Sequence, residues 1–323
     1  MKSYIIIASM MLATTAYARD NIQIAGSSTV LPFATIAAES FGENFDFSTP
    51  VVEGGGTGAG IKKFCEGSDD TTIDIATASR QMKDDEKAAC ATAGVTDITE
   101  VKIGYDGIVF ASDVNGKPFA FTPAMIYSAI NKDAVITSWD MADPSLPAQK
   151  ISVLVPGTKH GTREIFDQKV LIQGCKDVGK YDEFLATLND PKAAEKECAS
   201  IRTDGVVVEI DGDYTETLSR MKADPNAVGV FGLSFYENNT DTLQVATMNG
   251  IFPSVETIAD GTYPVSRPLF FYIKNSHINS IPGLLEFAQY FVSDDMAGKD
   301  GELVQHGLVP DPELATTQAS LQK

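Results

Sequence analysis

Residues 22–41 read IQIAGSSTVLPFATIAAESF, and the reading of this stretch decides the fold. Ile22 to Ala25 is a short β-rich apolar run, and Phe33, Ile36, Ala37 and Phe41 then recur at helical spacing. Between them stands a small polar turn, Gly26-Ser27-Ser28-Thr29, so the stretch is one βα unit. The pattern returns at Ile151 to Val155 followed by Ile165, Phe166 and Val170, which predicts an α/β fold built on a mostly parallel sheet. Further strands are expected at Ile73 to Ala76, Ile103 to Ala111, Val206 to Ile210, Val228 to Phe231, Leu243 to Ala246 and Leu269 to Ile273. A last long helix is expected from Gly283 to Val292, and the polar tail from Leu314 to Lys323 is expected to fray.

The chain has 323 residues, about twice the length of one typical domain, so two lobes or one large α/β unit are expected. With 43% hydrophobic and 21% charged residues it is globular, neither disordered nor membrane-spanning. Twenty-five Lys and Arg stand against 44 Asp and Glu, a formal charge of -19 that repels nucleic acid and anionic membranes. Nucleic-acid binding is excluded on that ground. An anionic ligand must be held by local donors in a desolvated pocket.

Residues 1–18 have the three parts of a cleavable export signal: Lys2, an apolar run from Tyr4 to Leu12, and Ala16-Tyr17-Ala18. The run is too short to span a bilayer, which needs roughly 20 apolar residues. Export places Cys65, Cys90, Cys175 and Cys198 in an oxidising compartment, where four cysteines allow three disulfide connectivities. Cys65 and Cys90 lie 25 apart, Cys175 and Cys198 lie 23 apart, and a wide gap separates the pairs. Two local disulfides follow, each worth about 3 kcal/mol as a constraint on the unfolded chain. A zinc site, the competing reading, lacks close C-x2-C spacing.

Three strand-to-helix junctions share one chemistry: Gly26 to Pro32, Glu53 to Gly60, and Pro156 to Arg163. In an open α/β sheet, ligands bind beyond the carboxyl ends of the strands, where helix N-termini offer unpaired N–H groups. Glycines admit a close ligand and Ser or Thr hydroxyls add donors, so together the three loops read as an oxyanion site. Taken singly each is also an ordinary helix cap or turn. The second loop fits neither the dinucleotide nor the Walker A spacing.

The ordered segments GSSTVLPF, EGGGTGAGIKKF, DIATASR, GYDGIVF, HGTREIF, VGVFGLSFY and YPVSRPLFFYI resemble the phosphate-binding proteins that serve phosphate-specific ABC transporters. The resemblance covers essentially the mature chain. It implies a type II periplasmic binding protein fold: a lobe from residues 19–108 and 266–323, a second lobe from 109–265, and phosphate in the cleft between them. It also implies export to the periplasm, membrane permease subunits as partners, no cofactor, no metal, and a monomer. By the same resemblance the phosphate contacts are Ser28, Thr29, Val30, Leu31, Thr57, Ser79, Arg80, Gly161, Thr162 and Arg163. His160 stands where the family's turn has Ser. Ser79 stands where better-known members have an Asp that accepts the phosphate proton: either Ser79 with Arg80 replaces that contact, or the acceptor comes from elsewhere, such as Asp106 or Asp204.

Other readings stay open at this level. Arg80 is either a ligand contact or a brace paired with a carboxylate; Arg202 and Asp204 also read as an exposed turn, and Arg267 as a residue that pins the hinge. Trp139 and the aromatic groups around Phe231 and Phe270 read as core. The same fold tuned to sulfate, molybdate or a phosphonate is one alternative, and an exported hydrolase is another. Against the hydrolase stand three histidines in all and neither a G-x-S-x-G elbow nor an H-E-x-x-H motif.

Overall fold

A computed structural model describes residues 19–158, 161–211 and 214–322. The export signal and His160 therefore lie outside the described residues. The strands in chain order are β1 (Gln23–Gly26), β2 (Val51–Glu53), β3 (Ile75–Ala78), β4 (Ile98–Asp113), β5 (Ala120–Phe121), β6 (Val153–Pro156), β7 (Val207–Ile210), β8 (Val228–Gly232), β9 (Leu243–Val245), β10 (Thr247–Met248), β11 (Ser266–Lys274) and β12 (Val309–Pro310). All but β5 and β10, which pair with each other, join one mixed sheet of order β2-β1-β3-β11-β4-β8-β6-β7, with β9 and β12 also on β4. Helices separate most of these strands, so the fold is α/β.

The 16-residue β4 organises the molecule. Its first part, through Gly107, pairs antiparallel with β11, and from Ile108 onward it pairs antiparallel with β8 and then β9. Since β11 is also antiparallel to β3, β4 runs in the same direction as β1, β2 and β3. The parallel strands β6, β7 and β8 run the opposite way. The carboxyl ends of the two parallel sets therefore point at each other across the place where β4 changes partner. A seam lined by strand-to-helix loops from both sides is a consequence of topology.

Burial is divided at the same place. One apolar cluster draws on Tyr105 to Val265 and Val309, with Trp139 and Phe231 inside it. Two others draw on Ile22 to Ile103 and Leu269 to Leu321. In the first of these two, the helix Leu31–Asn44 buries Phe33, Ala34, Ala37, Ala38 and Phe41, and Phe41 packs edge-on to Phe287 of the helix Leu284–Phe291. Both expected disulfides are present, Cys65 to Cys90 and Cys175 to Cys198. The tail departs from expectation: Leu314–Ser320 is a helix, held by buried Leu314 and Leu321 and by Gln318 Nε2 donating to the Val292 carbonyl at 2.9 Å. Two leucines seven residues apart are too sparse a stripe to read as an anchored helix.

Candidate functional site

The first loop closes on itself before it faces the seam. Gly26 has φ +153°, and a Cβ there would come 2.1 Å from the Thr77 carbonyl, so only glycine lets β1 end this close to β3. The Ser27 N–H donates to that carbonyl at 3.0 Å, and the Ser27 hydroxyl accepts from the N–H groups of Thr29 (3.2 Å) and Val30 (3.4 Å). The Leu31 N–H donates to the Ser27 carbonyl at 3.0 Å, so the N–H groups of Val30 and Leu31 are engaged within the turn. Ser28 is exposed, whereas Thr29 is 2% exposed.

The second loop brings its helix, Thr57–Phe64, directly against β1. A Cβ on Gly60 would lie 2.3 Å from Gly26 Cα, and the Gly56 N–H donates to the Gly26 carbonyl at 2.8 Å. Thr57 is thereby placed beside the end of β3, where its hydroxyl accepts from the Ser79 N–H at 3.1 Å and shares a hydrogen bond with the Ser79 hydroxyl at 3.2 Å. Arg80, next in chain, turns away: its two terminal nitrogens each donate to Glu86 at 2.8 Å, which holds the Glu86 carboxyl below the usual carboxylate range. Arg80 takes the bracing role.

At the partner change of β4 the antiparallel register sets Arg267 opposite Asp106. Both are buried, 6% and 3% exposed, and Arg267 Nε lies 3.5 Å from Asp106 Oδ2, longer than a good hydrogen bond. Neither atom has a hydrogen-bond partner among the described residues. Burial pushes the Asp106 carboxyl up to about 6 against the pull of Arg267, with the Glu164 carboxylate adding to the rise. The far end of the guanidinium fans over the seam. Nη2 donates to the Thr29 hydroxyl, while Nη1 lies 3.5 Å from the Ser79 hydroxyl and 3.3 Å from Gln168 Oε1.

From the other lobe comes the helix Gly161–Phe166, which continues through a π-helical segment, Asp167–Ile172. A π turn shifts the side chains that follow it and is frequent at functional sites. Glu164 accepts from the Thr29 hydroxyl at 2.9 Å and lies 3.7 Å from Arg267. Arg163 is buried, with Nε on Asp167 at 2.7 Å and Nη1 near Glu209 at 3.1 Å and the Pro156 carbonyl at 3.3 Å. The Thr162 hydroxyl is buried beside the Tyr214 phenol, whose burial keeps it far above its usual range and so a neutral donor.

Thr29, Ser79 and Asp106 are thus gathered around one guanidinium, that of Arg267, which sequence reading assigns to the hinge, and Thr57 joins them through Ser79. Asp204 is not brought there. It precedes β7 and lies at the opposite end of the parallel strands from the seam, exposed and paired with Arg202 at 2.5 Å. Ser27, Glu164, Gln168 and Tyr214 are additions the sequence did not single out. The Ser at the first position of a Ser-x-Thr turn was the one available signal, a side-chain cap.

The profile of the PBP superfamily domain matches residues 13–295. Protein SphX of Synechococcus elongatus is 29% identical over 303 residues, covering 91% of this chain and 79% of its own. The phosphate-binding protein PstS of Staphylococcus haemolyticus is 28% identical, covering 89% and 80%. Among solved structures, a possible phosphate binding protein from Planctomyces limnophilus superposes with a TM-score of 0.69 at 22% identity, covering 94% of this chain and 99% of that one. An ABC-type phosphate transport receptor from Vibrio cholerae gives 0.58 at 19% identity, covering 90% and 99%.

Proposed function

The chain belongs to the PBP superfamily, and from that premise we propose that it binds inorganic phosphate outside the cytoplasm and hands it to the membrane permease subunits of an ABC transporter. The observation that carries the reading is the convergence of Arg267 with Thr29, Ser79 and Asp106 at the seam where the two sets of strands meet end to end. The relatives named as phosphate-binding support the choice of ligand.

A dianion bound in a chain this acidic gains nothing from the overall field. Its hold comes from preorganised donors in a place closed to water, where each charge-assisted bond is stronger than in solvent. Arg267 supplies the charge, the hydroxyls of Thr29, Thr57 and Ser79 supply donors from one lobe, and Gly161, Thr162 and Arg163 supply them from the other. Ser28, Val30 and Leu31 frame the first loop. Asp106 reads the proton that phosphate keeps at neutral pH and sulfate lacks. Residues 19–108 with 266–323 and residues 109–265 are the two lobes that close on the ligand. The protein is exported to the periplasm by residues 1–18, acts as a monomer, and binds rather than turns over its ligand.

Calorimetric titration of mature protein stripped of phosphate tests this, with expected binding of one phosphate per chain. Ligand that binds only the folded state stabilises by about 4.1 kcal/mol at a thousandfold excess over Kd, so the melting temperature rises clearly. The absence of both heat and a melting shift, on stripped protein, refutes the reading. Steady release of product from a chromogenic phosphate ester would instead favour a hydrolase.

A further inference from the structure

Arg267 also lines a crevice of about 910 Å³. Arg267 and Phe270 of β11 line one side, and Lys169, Gln173 and Asp177, spaced by one helical turn each, line the other. Of the charges along it Lys102 is ion-paired, held by Asp311 at 3.0 Å. The carboxylates of Asp177, Asp260 and Glu100 accept from neutral donors and keep their charge: Asp177 from Gln173 at 2.7 Å, Asp260 from Thr262, and Glu100 from Tyr272. Lys169 differs: it is exposed, no described carboxylate forms an ion pair with it, and its chain neighbour Gln168 touches Arg267. Partial burial and the Arg267 guanidinium both push its ammonium below the usual lysine range, so the charge it senses most is another cation.

Two adjacent cations, one at the wall of an open crevice and one in the closed seam, cost the fold stability through mutual repulsion. In a protein of formal charge -19 they also create the local attraction that an approaching dianion otherwise lacks. We propose that Lys169 is the anion-capture residue of this cleft, drawing phosphate into the crevice and passing it to Arg267. The inference rests on the phosphate reading above and concerns the rate of entry, not the final hold. An exposed ammonium facing water adds little to the bound state but shapes encounter, so its effect lies in the association rate.

The test is stopped-flow binding of inorganic phosphate, followed by an environment-sensitive dye on a cysteine placed at exposed Val178. Lys169→Gln is expected to slow association roughly three- to tenfold at low salt, and Lys169→Glu more. Dissociation is unchanged, and all curves converge above about 0.5 M salt, where the screening length falls to a few ångströms. Lys192→Gln, the same charge change at an exposed position on another helix, is expected to leave the rate alone. Overturning results are an unchanged association rate in Lys169→Gln, a change confined to dissociation, or an equal slowing in Lys192→Gln, which would make the effect one of net charge. A wild type with no phosphate signal sinks the phosphate reading itself, and this inference with it.

Discussion

Two buried aspartates lie at opposite ends of the same strands, and they are satisfied very differently. Asp74, just before β3, is fully buried and accepts two bonds from Arg19 at 2.6 Å, one from the Gln23 N–H at 2.7 Å, and one shared with buried His277 at 2.6 Å. Lys274, its ammonium pushed down to about 8 by burial, stands beside them with a hydrogen bond to the Thr72 hydroxyl. Asp106, at the seam, has one cation at 3.5 Å and an oxygen with no hydrogen-bond partner among the described residues. At the outer end both Asp74 oxygens are satisfied, although Arg19 Nε there has no hydrogen-bond partner among the described residues, and this holds the segment before β1 and the residues after β11 onto the sheet. Incomplete satisfaction at the inner end leaves donor and acceptor capacity for something else. Both oxygens of Asp74 are committed within the fold, whereas Asp106, beside the loops that meet at the seam, keeps one oxygen for a ligand to use.

That contrast predicts opposite phenotypes. Asp74→Asn leaves Arg19 without its counter-charge, and breaking a buried pair from one side typically costs about 3–5 kcal/mol. Chemical denaturation is expected to show that loss, with phosphate affinity of the folded protein within about twofold of wild type. A large affinity change in Asp74→Asn would erase the distinction between the two ends. Arg267→Ala is expected to do the reverse. Truncating a buried charge-assisted contact costs about 2–5 kcal/mol of binding, some 30-fold to several thousandfold in Kd. Arg267→Lys should restore only part, since an ammonium lacks the planar fork that spans Thr29 and Ser79. Arg163→Ala, whose charge already meets Asp167 and Glu209, should cost less than Arg267→Ala; the opposite order in titration would move the ligand cation to the other lobe.

What the sequence revealed of this site is what local chain chemistry determines. Gly26, Gly60 and the hydroxyl residues after β1 and β2 were readable because a tight strand-to-helix turn needs those residue types at those places. The disulfides were readable from spacing. Arg267 was not, because its position opposite Asp106 depends on the antiparallel register of strands separated by some 150 residues of chain. Glu164 and Gln168 reach the seam only through lobe packing and a π turn, neither of which leaves a periodic signature. Asp204 shows a different failure. The strand Val206 to Ile210 was already expected, and its carboxyl end, where ligands bind in a parallel set, lies past Ile210, so a residue preceding the strand belonged at the far side.

The finest division between the two aspartates is one of pH. Asp106 titrates near 6 in the folded chain and near 3.8 when unfolded. The folded state therefore binds more protons between those values, and stability falls as pH rises from about 4 to about 6, then levels. Asp106→Asn carries no such penalty, so the stability of wild type relative to this variant should decline over that window, by at most about 3 kcal/mol. The ligand preference should follow the same proton. Above pH 6 an ionised Asp106 accepts the proton of phosphate and repels an unprotonated sulfate oxygen. Below it, the protonated carboxyl becomes a donor that sulfate can use. Sulfate affinity is expected to rise roughly tenfold between pH 7 and pH 5 in wild type and to stay flat in Asp106→Asn. Competition titrations at the two pH values measure this directly, and equal pH dependence in both proteins would mean that another group reads the proton.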